Sequence, residues 1–122
     1  MSTQSVIPQL EEQKLCDRIT LFFRLLNEKK WDECFDLIDP VLRSNGDIKL
    51  ENYCRSLSDF FETYGPTANV EVVDLKLFLH DDRDFAYGAA TWDDRTHVPH
   101  KSQERWVRAD DGRWYSRKVG MV

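Results

Sequence analysis

Apolar side chains recur every three or four positions between Pro8 and Gly65, and this spacing predicts three amphipathic helices. We expect the first helix to begin near Pro8, because proline is well tolerated in a first helical turn. The second helix should begin at Trp31 and end before Pro40, since a residue that precedes proline disfavours the helical conformation. The third should be capped by Asp47 and end at Gly65. It has the most regular apolar positions: Leu50, Tyr53, Cys54, Leu57, Phe60, Phe61 and Tyr64.

Beyond Gly65 apolar and polar residues alternate, and this period of two predicts four β-strands. The predicted strands are residues 70–79, 85–92, 101–109 and 113–119. In the first strand the alternation changes phase between Val72 and Val73, so we expect a β-bulge there. Residues 93–100 should form a polar connection, and Asp111–Gly112 should form a two-residue hairpin turn.

The order of the elements, helices first and then an antiparallel meander, predicts an α+β fold in which three N-terminal helices pack on one face of a sheet of about four strands. A length of 122 residues is typical of a single domain. We therefore expect one domain over residues 1–122, with residues 1–8 flexible.

The closing hairpin predicts an interface. If the turn is the two-residue form, Ala109 lies opposite Trp114 and Arg108 opposite Tyr115, whereas a three-residue turn would swap this pairing. One face then lies under the helices, with Val107, Ala109, Trp114 and Ser116. The opposite face carries Trp106, Arg108, Tyr115 and Arg117. Since Trp, Tyr and Arg are enriched at interface hot spots, we expect this second face to form a homodimer interface. The alternative is stacking of arginine on aromatic rings across the strands of a monomer.

The charge and the cysteine content argue against two classes of protein: nucleic-acid-binding proteins and secreted proteins with a disulfide framework. The chain has 17 basic and 22 acidic residues and a formal net charge of −5, so a nucleic-acid partner is not expected. Cys16, Cys34 and Cys54 are an odd number, which argues against a secreted disulfide framework and predicts buried thiols. The N-terminus has no apolar region of the kind found in signal peptides, and no stretch is long enough to span a bilayer. We expect a cytoplasmic protein with no membrane partner.

The polar connection holds the residues most suggestive of chemistry. His97 and His100 flank Pro99, and Asp93 and Asp94 lie just upstream. A histidine beside a carboxylate can act as a general base, because the carboxylate fixes the tautomer and stabilises the charged ring. We therefore take His97, His100 and Asp93 as catalytic candidates. The alternative, which we favour, is a solvated surface loop; a shared metal site is disfavoured because the proline disrupts regular spacing.

Three stretches, spread between about residues 10 and 119, resemble the nuclear transport factor 2-like superfamily. Residues 21–32 read as a long helix, a polar turn and a Trp-Asp start to the next helix. Residues 84–88 form a strand with alternating small side chains, and residues 105–115 form a hairpin with Asp-Gly followed by Trp. The resemblance implies a cystatin-like cone of helices on a curved sheet.

The superfamily includes steroid isomerases, dehydratases, polyketide cyclases, epoxide hydrolases and transport factors, so the resemblance implies no single activity. Many relatives carry a short strand pair between the second and third helices, for which residues 41–49 leave little room. No residue matches the acid and base residues of the enzymatic members, so no catalytic role is carried over.

We expect a pocket on the helix-facing side of the sheet. The candidate ligand-binding residues are Trp31, Tyr53, Leu57, Phe61, Tyr87, Arg105 and Trp114. The hydroxyl of Tyr53 would orient an otherwise apolar ligand. The alternative is that these side chains fill the core.

The favoured prediction is a small-molecule-binding domain for a small hydrophobic ligand, with no cofactor. One alternative is an acid–base enzyme such as an isomerase, dehydratase or cyclase, which a buried titratable group with a shifted pKa would favour. The other is a protein-interaction or dimerisation module, which a filled interior and a large apolar sheet face would favour.

Overall fold

The computed structural model describes residues 8–79 and 83–118 and has an α+β fold, as predicted. The helices are α1 Pro8–Asn27, α2 Trp31–Phe35, α3 Pro40–Ser44 and α4 Leu50–Tyr64. The strands are β1 Ala68–Phe78, β2 Phe85–Asp93, β3 Pro99–Arg108 and β4 Trp114–Ser116. They form one antiparallel sheet in the order β1-β2-β3-β4. The predicted flexibility of residues 1–8 concerns a segment that, apart from Pro8, lies outside the described residues.

The prediction of three helices is wrong because Pro40 begins a helix as well as ending the segment before it. Proline lacks an N–H group that the first helical position does not need. Asp39 caps α3, since its Oδ1 accepts a hydrogen bond of 3.1 Å from the N–H of Val41. The predicted cap of α4 is also wrong: Lys49 occupies the N-cap position, without a side-chain hydrogen bond, in place of Asp47.

The predicted bulge in β1 is confirmed, slightly further along the strand. The pairing of β1 with β2 shifts between Val73 and Lys76, where Asp74 has a positive φ of 57°. Val72 pairs with Ala90 before the bulge, and Leu77 pairs with Ala86 after it. Because the extra residue restores the phase, both halves of the strand turn apolar side chains towards the helices.

The predicted register of the β3–β4 hairpin is wrong. Arg108 pairs with Trp114 and Val107 with Tyr115, because the turn is longer than two residues and ends with Gly112 at a φ of 80°. A shift of one residue exchanges the faces of a strand. Trp106 therefore lies in the core, on the helix side of the sheet, with Trp114.

The hydrophobic core lies between the sheet and α1, α2 and α4. Its side chains with at most 1% exposure include Leu15, Ile19, Phe23, Leu26, Ile38, Leu57 and Trp114. Residues 37–39 continue the sheet beyond β4, with a hydrogen bond of 2.9 Å from the Asp39 N–H to the Ser116 carbonyl. This segment covers an otherwise unpaired strand edge.

The three cysteines are free thiols, of which Cys34 is buried while Cys16 and Cys54 are half-buried. The prediction of three buried thiols is therefore correct for one of them. Among the described residues, none of the helices has both the length and the apolar character needed to cross a bilayer.

Candidate functional site

The seven predicted pocket residues do not converge on one site. Tyr53, Leu57 and Trp114 are at most 3% exposed and fill the core. Trp31 and Phe61 pack edge to face against each other, with ring centroids 5.8 Å apart. The other two, Tyr87 and Arg105, lie on the opposite face of the sheet.

A cavity of about 10 Å³ lies between α1, α4 and the strands β3 and β4. It is lined by Phe22, Tyr53, Glu104, Trp106, Ser116 and Lys118. A volume of about one water-sized probe sphere holds at most one water molecule. This cavity therefore has no room for an organic ligand.

Two charged side chains nevertheless face this small cavity. Glu104 accepts a hydrogen bond of 2.9 Å from the indole N–H of Trp106. The Nζ of Lys118 lies 3.7 Å from Oε2 of Glu104, and it has no hydrogen-bond partner within the described part of the chain. Both side chains are at most 14% exposed, so the pair is largely shielded from solvent.

Burial dominates the ionisation of this pair. It raises the pKa of Glu104, although the charge of Lys118 and the Trp106 hydrogen bond oppose the change. Burial also lowers the pKa of Lys118, against the attraction of Glu104. The hydroxyl of Tyr53, facing the same cavity, has its pKa raised by burial and by nearby charge. Sequence reasoning missed Glu104 and Lys118; the alternation Ser102, Glu104, Trp106 in one strand was the available signal.

A groove of about 420 Å³ lies between a helix and the sheet, beside α4. We call it the aromatic groove, and it is lined by Ser56, Asp59, Phe60, Thr63, Tyr64, Trp92, His100, Lys101 and Ser102. The helix period brings Ser56, Phe60 and Tyr64 onto one side of α4. Strands β2 and β3 supply the opposite wall.

The rings of the aromatic groove pack against one another and hold its shape. Trp92 stacks on His100, with ring centroids 4.4 Å apart and an interplanar angle of 14°. Phe60 and Tyr64 meet Trp92 edge to face, at 5.2 and 5.7 Å. The Trp92 indole N–H donates a hydrogen bond of 2.9 Å to Oγ of Ser102. These contacts arrange the rings before any ligand enters.

His100, on the strand side of the aromatic groove, forms a histidine–carboxylate pair with Asp94. Nε2 of His100 lies 2.8 Å from Oδ2 of Asp94. Oδ1 of Asp94 accepts hydrogen bonds from the backbone N–H and hydroxyl of Thr96 and from the backbone N–H of Val98. The Thr96 hydroxyl first, and then His100, hold the pKa of Asp94 well below its usual range. The carboxylate is thus ionised and fixed in place.

The catalytic candidates of the sequence are only partly brought together. His100 belongs to β3 rather than to a loop, and its carboxylate partner is Asp94 rather than Asp93. Asp93 instead accepts a hydrogen bond of 2.9 Å from Asn69. His97 is exposed in the connecting turn at a φ of 66°. Sequence reasoning placed His100 in the turn because Pro99 looked like a loop residue, whereas proline is also tolerated as the first residue of a strand.

The four residues predicted to form a dimer face do not share one exposed surface. Trp106 is 2% exposed and lies in the core, and Tyr115 is 7% exposed. Arg108 is paired with Glu11 and Asp84. The fourth, Arg117, is paired with a buried carboxylate. The face assignment was wrong because it rested on the two-residue turn.

In the ranges 8–79 and 83–118, no three histidine, cysteine or carboxylate side chains converge as metal ligands. No protein-family model matches this chain, and no curated protein is significantly similar to it. The assignment of function therefore depends on the geometry described above.

Proposed function

We propose that this chain is a small-molecule-binding domain and that the aromatic groove is its binding site. One observation carries the proposal: a groove of about 420 Å³ has Phe60, Tyr64, Trp92 and His100 in mutual ring contact along its walls. Concave sites lined by aromatic rings with a few polar groups are typical of small-molecule sites.

The groove favours a planar ring compound with one polar substituent. Edge-to-face and stacked contacts with the half-buried rings of Phe60, Tyr64 and His100 would hold the planar part, while Trp92, which is 3% exposed, packs against these rings. Because Nε2 of His100 is engaged by Asp94, Nδ1 is the ring nitrogen left to meet a ligand donor. The charges of Asp59 and Lys101 at the rim are opposite in sign, so a neutral ligand is favoured over a strongly charged one.

Indole is a suitable probe, since it is planar, neutral and has a single N–H donor. Binding would be followed by NMR through the Trp92 indole N–H signal, assigned with a Trp92→Phe variant. Ser56 is exposed and lines the groove, so Ser56→Trp should plug the groove without removing core contacts. Arg55→Trp, at the neighbouring exposed position outside the lining, is the matched control.

We expect a saturable shift of the Trp92 signal with indole, and at least about a tenfold loss of affinity in Ser56→Trp with little change in Arg55→Trp, since a filled site loses the ring contacts that supply its affinity. Cyclohexanol, which has no π face, should bind more weakly. No shift at millimolar indole, or equal losses in the two variants, would refute the proposal.

We also infer that the chain is a divergent nuclear transport factor 2-like protein with a cone arrangement. The element order supports this, since helices precede a four-stranded antiparallel meander with the helices packed on one face. The bulge at Asp74 is the kind of feature that curves a sheet.

The His100–Asp94 pair supports a second candidate function, acid–base catalysis on a small ring substrate in the same groove. An ionised carboxylate 2.8 Å from one ring nitrogen keeps the other free to accept a proton. In that reaction Nδ1 of His100 would take a proton from the carbon beside a ketone. The test is exchange of the α-protons of 2-indanone in deuterated water. We expect faster exchange than with imidazole at equal concentration, lost in His100→Gln; equal rates would exclude this candidate.

A further inference from the structure

Three arginines line a second recess, on the face of the sheet that points away from the helices. We call it the arginine cleft; it has a volume of about 300 Å³. Its lining includes Arg83, Phe85, Tyr87, Arg105, Val107 and Arg117. The strand residues among them alternate with Ala86 and Trp106, which lie in the core, and therefore point outwards. The cleft and the aromatic groove are separate sites.

Two of these arginines are held in place by one buried carboxylate. Oδ2 of Asp39 accepts hydrogen bonds of 2.9 Å from Arg83 and 2.7 Å from Arg117. The Asp39 side chain is 0% exposed, whereas the side chains of Arg83 and Arg117 are 42% and 33% exposed. Both guanidinium groups thus meet at one anchor and still present donors to solvent.

The anchor is ionised. Burial by itself would raise the pKa of Asp39, but hydrogen bonds from Arg117 and Val41 and the charge of Arg83 outweigh it and lower the pKa. One negative charge therefore balances one of the two guanidinium groups that it holds.

Arg105 adds a third positive charge, without a carboxylate partner among the described residues. Its side chain is exposed, and its guanidinium carbon lies 5.9 Å from the ring centroid of Tyr87. The Tyr87 ring is itself exposed, at 45%, and packs edge to face on Phe85. The cleft thus combines a free guanidinium with an aromatic face.

Described carboxylates flank the cleft. Asp84 is paired with Arg108. Asp110 and Asp111 share a neighbouring recess with Arg83, and Asp111 accepts a hydrogen bond of 2.6 Å from the hydroxyl of Tyr115. Among the described residues that line the cleft itself, three carry a positive charge and none carries a negative charge, within a protein whose net charge is −5.

We propose that the arginine cleft binds a phosphate monoester carried on a planar aromatic ring. A phosphate monoester carries a charge of about −1.5 to −2 at neutral pH, which is opposite in sign to the three arginines that line the cleft. Arginine forks recognise phosphate oxygens through paired hydrogen bonds. The rings of Tyr87 and Phe85 would contact the aromatic part of the ligand.

Phenyl phosphate is the probe, titrated at low ionic strength and followed by NMR at the backbone N–H signal of Tyr87, which is present in every variant. Inorganic phosphate lacks the ring, and benzoate has the ring with a single charge. Arg105→Gln removes the guanidinium that has no carboxylate partner, so the fold should be unaffected. Arg24→Gln removes an equal charge from an exposed position on α1 and is the matched control.

We expect phenyl phosphate to bind more tightly than either reference compound, and Arg105→Gln to weaken it at least about tenfold, because charge-assisted hydrogen bonds are among the strongest. Arg24→Gln should change the affinity little. The proposal fails if millimolar phenyl phosphate causes no shift, or if the two variants weaken it equally. It also fails if benzoate or inorganic phosphate binds as tightly, because the cleft would then not select the combination of ring and dianion.

Discussion

The buried pair of Glu104 and Lys118 should make the stability of a Lys118→Met variant depend strongly on pH. The substitution keeps an unbranched side chain, shorter by one heavy atom, but removes the positive charge that lies 3.7 Å from Glu104. The carboxyl group is 4% exposed, so it would be left as an unpaired buried charge unless it takes up a proton.

Protonation of Glu104 sets the upper limit of the free energy that the Lys118→Met substitution costs. The ordinary pKa of a glutamate is 4.5. Keeping it protonated costs about 1.36 kcal/mol for each pH unit above that value, which is about 4 kcal/mol at about pH 7.5 and about 1.4 kcal/mol at about pH 5.5. Burial raises the pKa of Glu104 in the folded state, so the free energy of unfolding falls as the pH rises. The stability is fully present below the unfolded-state pKa of Glu104 and is lost as the pH rises through its folded-state pKa.

The reference for this measurement is the double variant Lys118→Met with Glu104→Gln. Glutamine has the shape of glutamate and keeps the oxygen that accepts the hydrogen bond from the Trp106 indole N–H, but it does not ionise. Asp39 and Asp94 have lowered pKa values and lose stability in acid in both variants alike, so their contribution cancels.

Urea unfolding of both variants, followed by circular dichroism, measures the difference in free energy of unfolding. We expect the single variant to be less stable than the double variant, by an amount that grows by about 2–3 kcal/mol between about pH 5.5 and pH 7.5. A difference that is equal at the two pH values would show that the carboxyl group of Glu104 is solvated, and would refute the buried arrangement.

Four further variants test the packing. Leu57→Ala should cost about 2–5 kcal/mol in urea unfolding, because Leu57 is 0% exposed in α4; a negligible cost would mean that α4 does not pack on the core. Trp114→Phe should cost about 1–3 kcal/mol, because it removes the indole N–H that donates to the buried Glu11; an unchanged transition would show that this hydrogen bond does not stabilise the fold. His97→Ala should change stability by less than about 0.5 kcal/mol, as for an exposed turn residue. In contrast, His100→Ala should cost about 1–2 kcal/mol by removing the Trp92 stack and the Asp94 hydrogen bond; equal effects at the two histidines would contradict their different placements.

The helices and the antiparallel strands were predictable because they leave a local signal. The regular spacing from Leu50 to Tyr64 predicts α4 and its end before Gly65, although the predicted cap at Asp47 lies two residues before the observed N-cap Lys49. The change of phase near Val73 predicts the bulge that the sheet needs. Both features depend on residues that are neighbours along the chain.

The candidate sites were less predictable, since they depend on distant contacts. His100 was a candidate from the sequence, but the groove beside it exists only because α4 packs across the ends of β2 and β3. The arginine cleft brings Arg105 beside Arg83 and Arg117, which meet at the buried Asp39, and no spacing in the sequence connects these four residues.

The amino-acid sequence by itself determined the class of fold, since the period of apolar residues distinguishes helix from strand wherever it is regular. Tertiary structure alone decided which side chains share a surface. In the closing hairpin a turn longer than two residues moved Trp106 from the predicted outer face into the core. Turn length and packing across the sheet settle such choices, because a strand has the same alternation in either register.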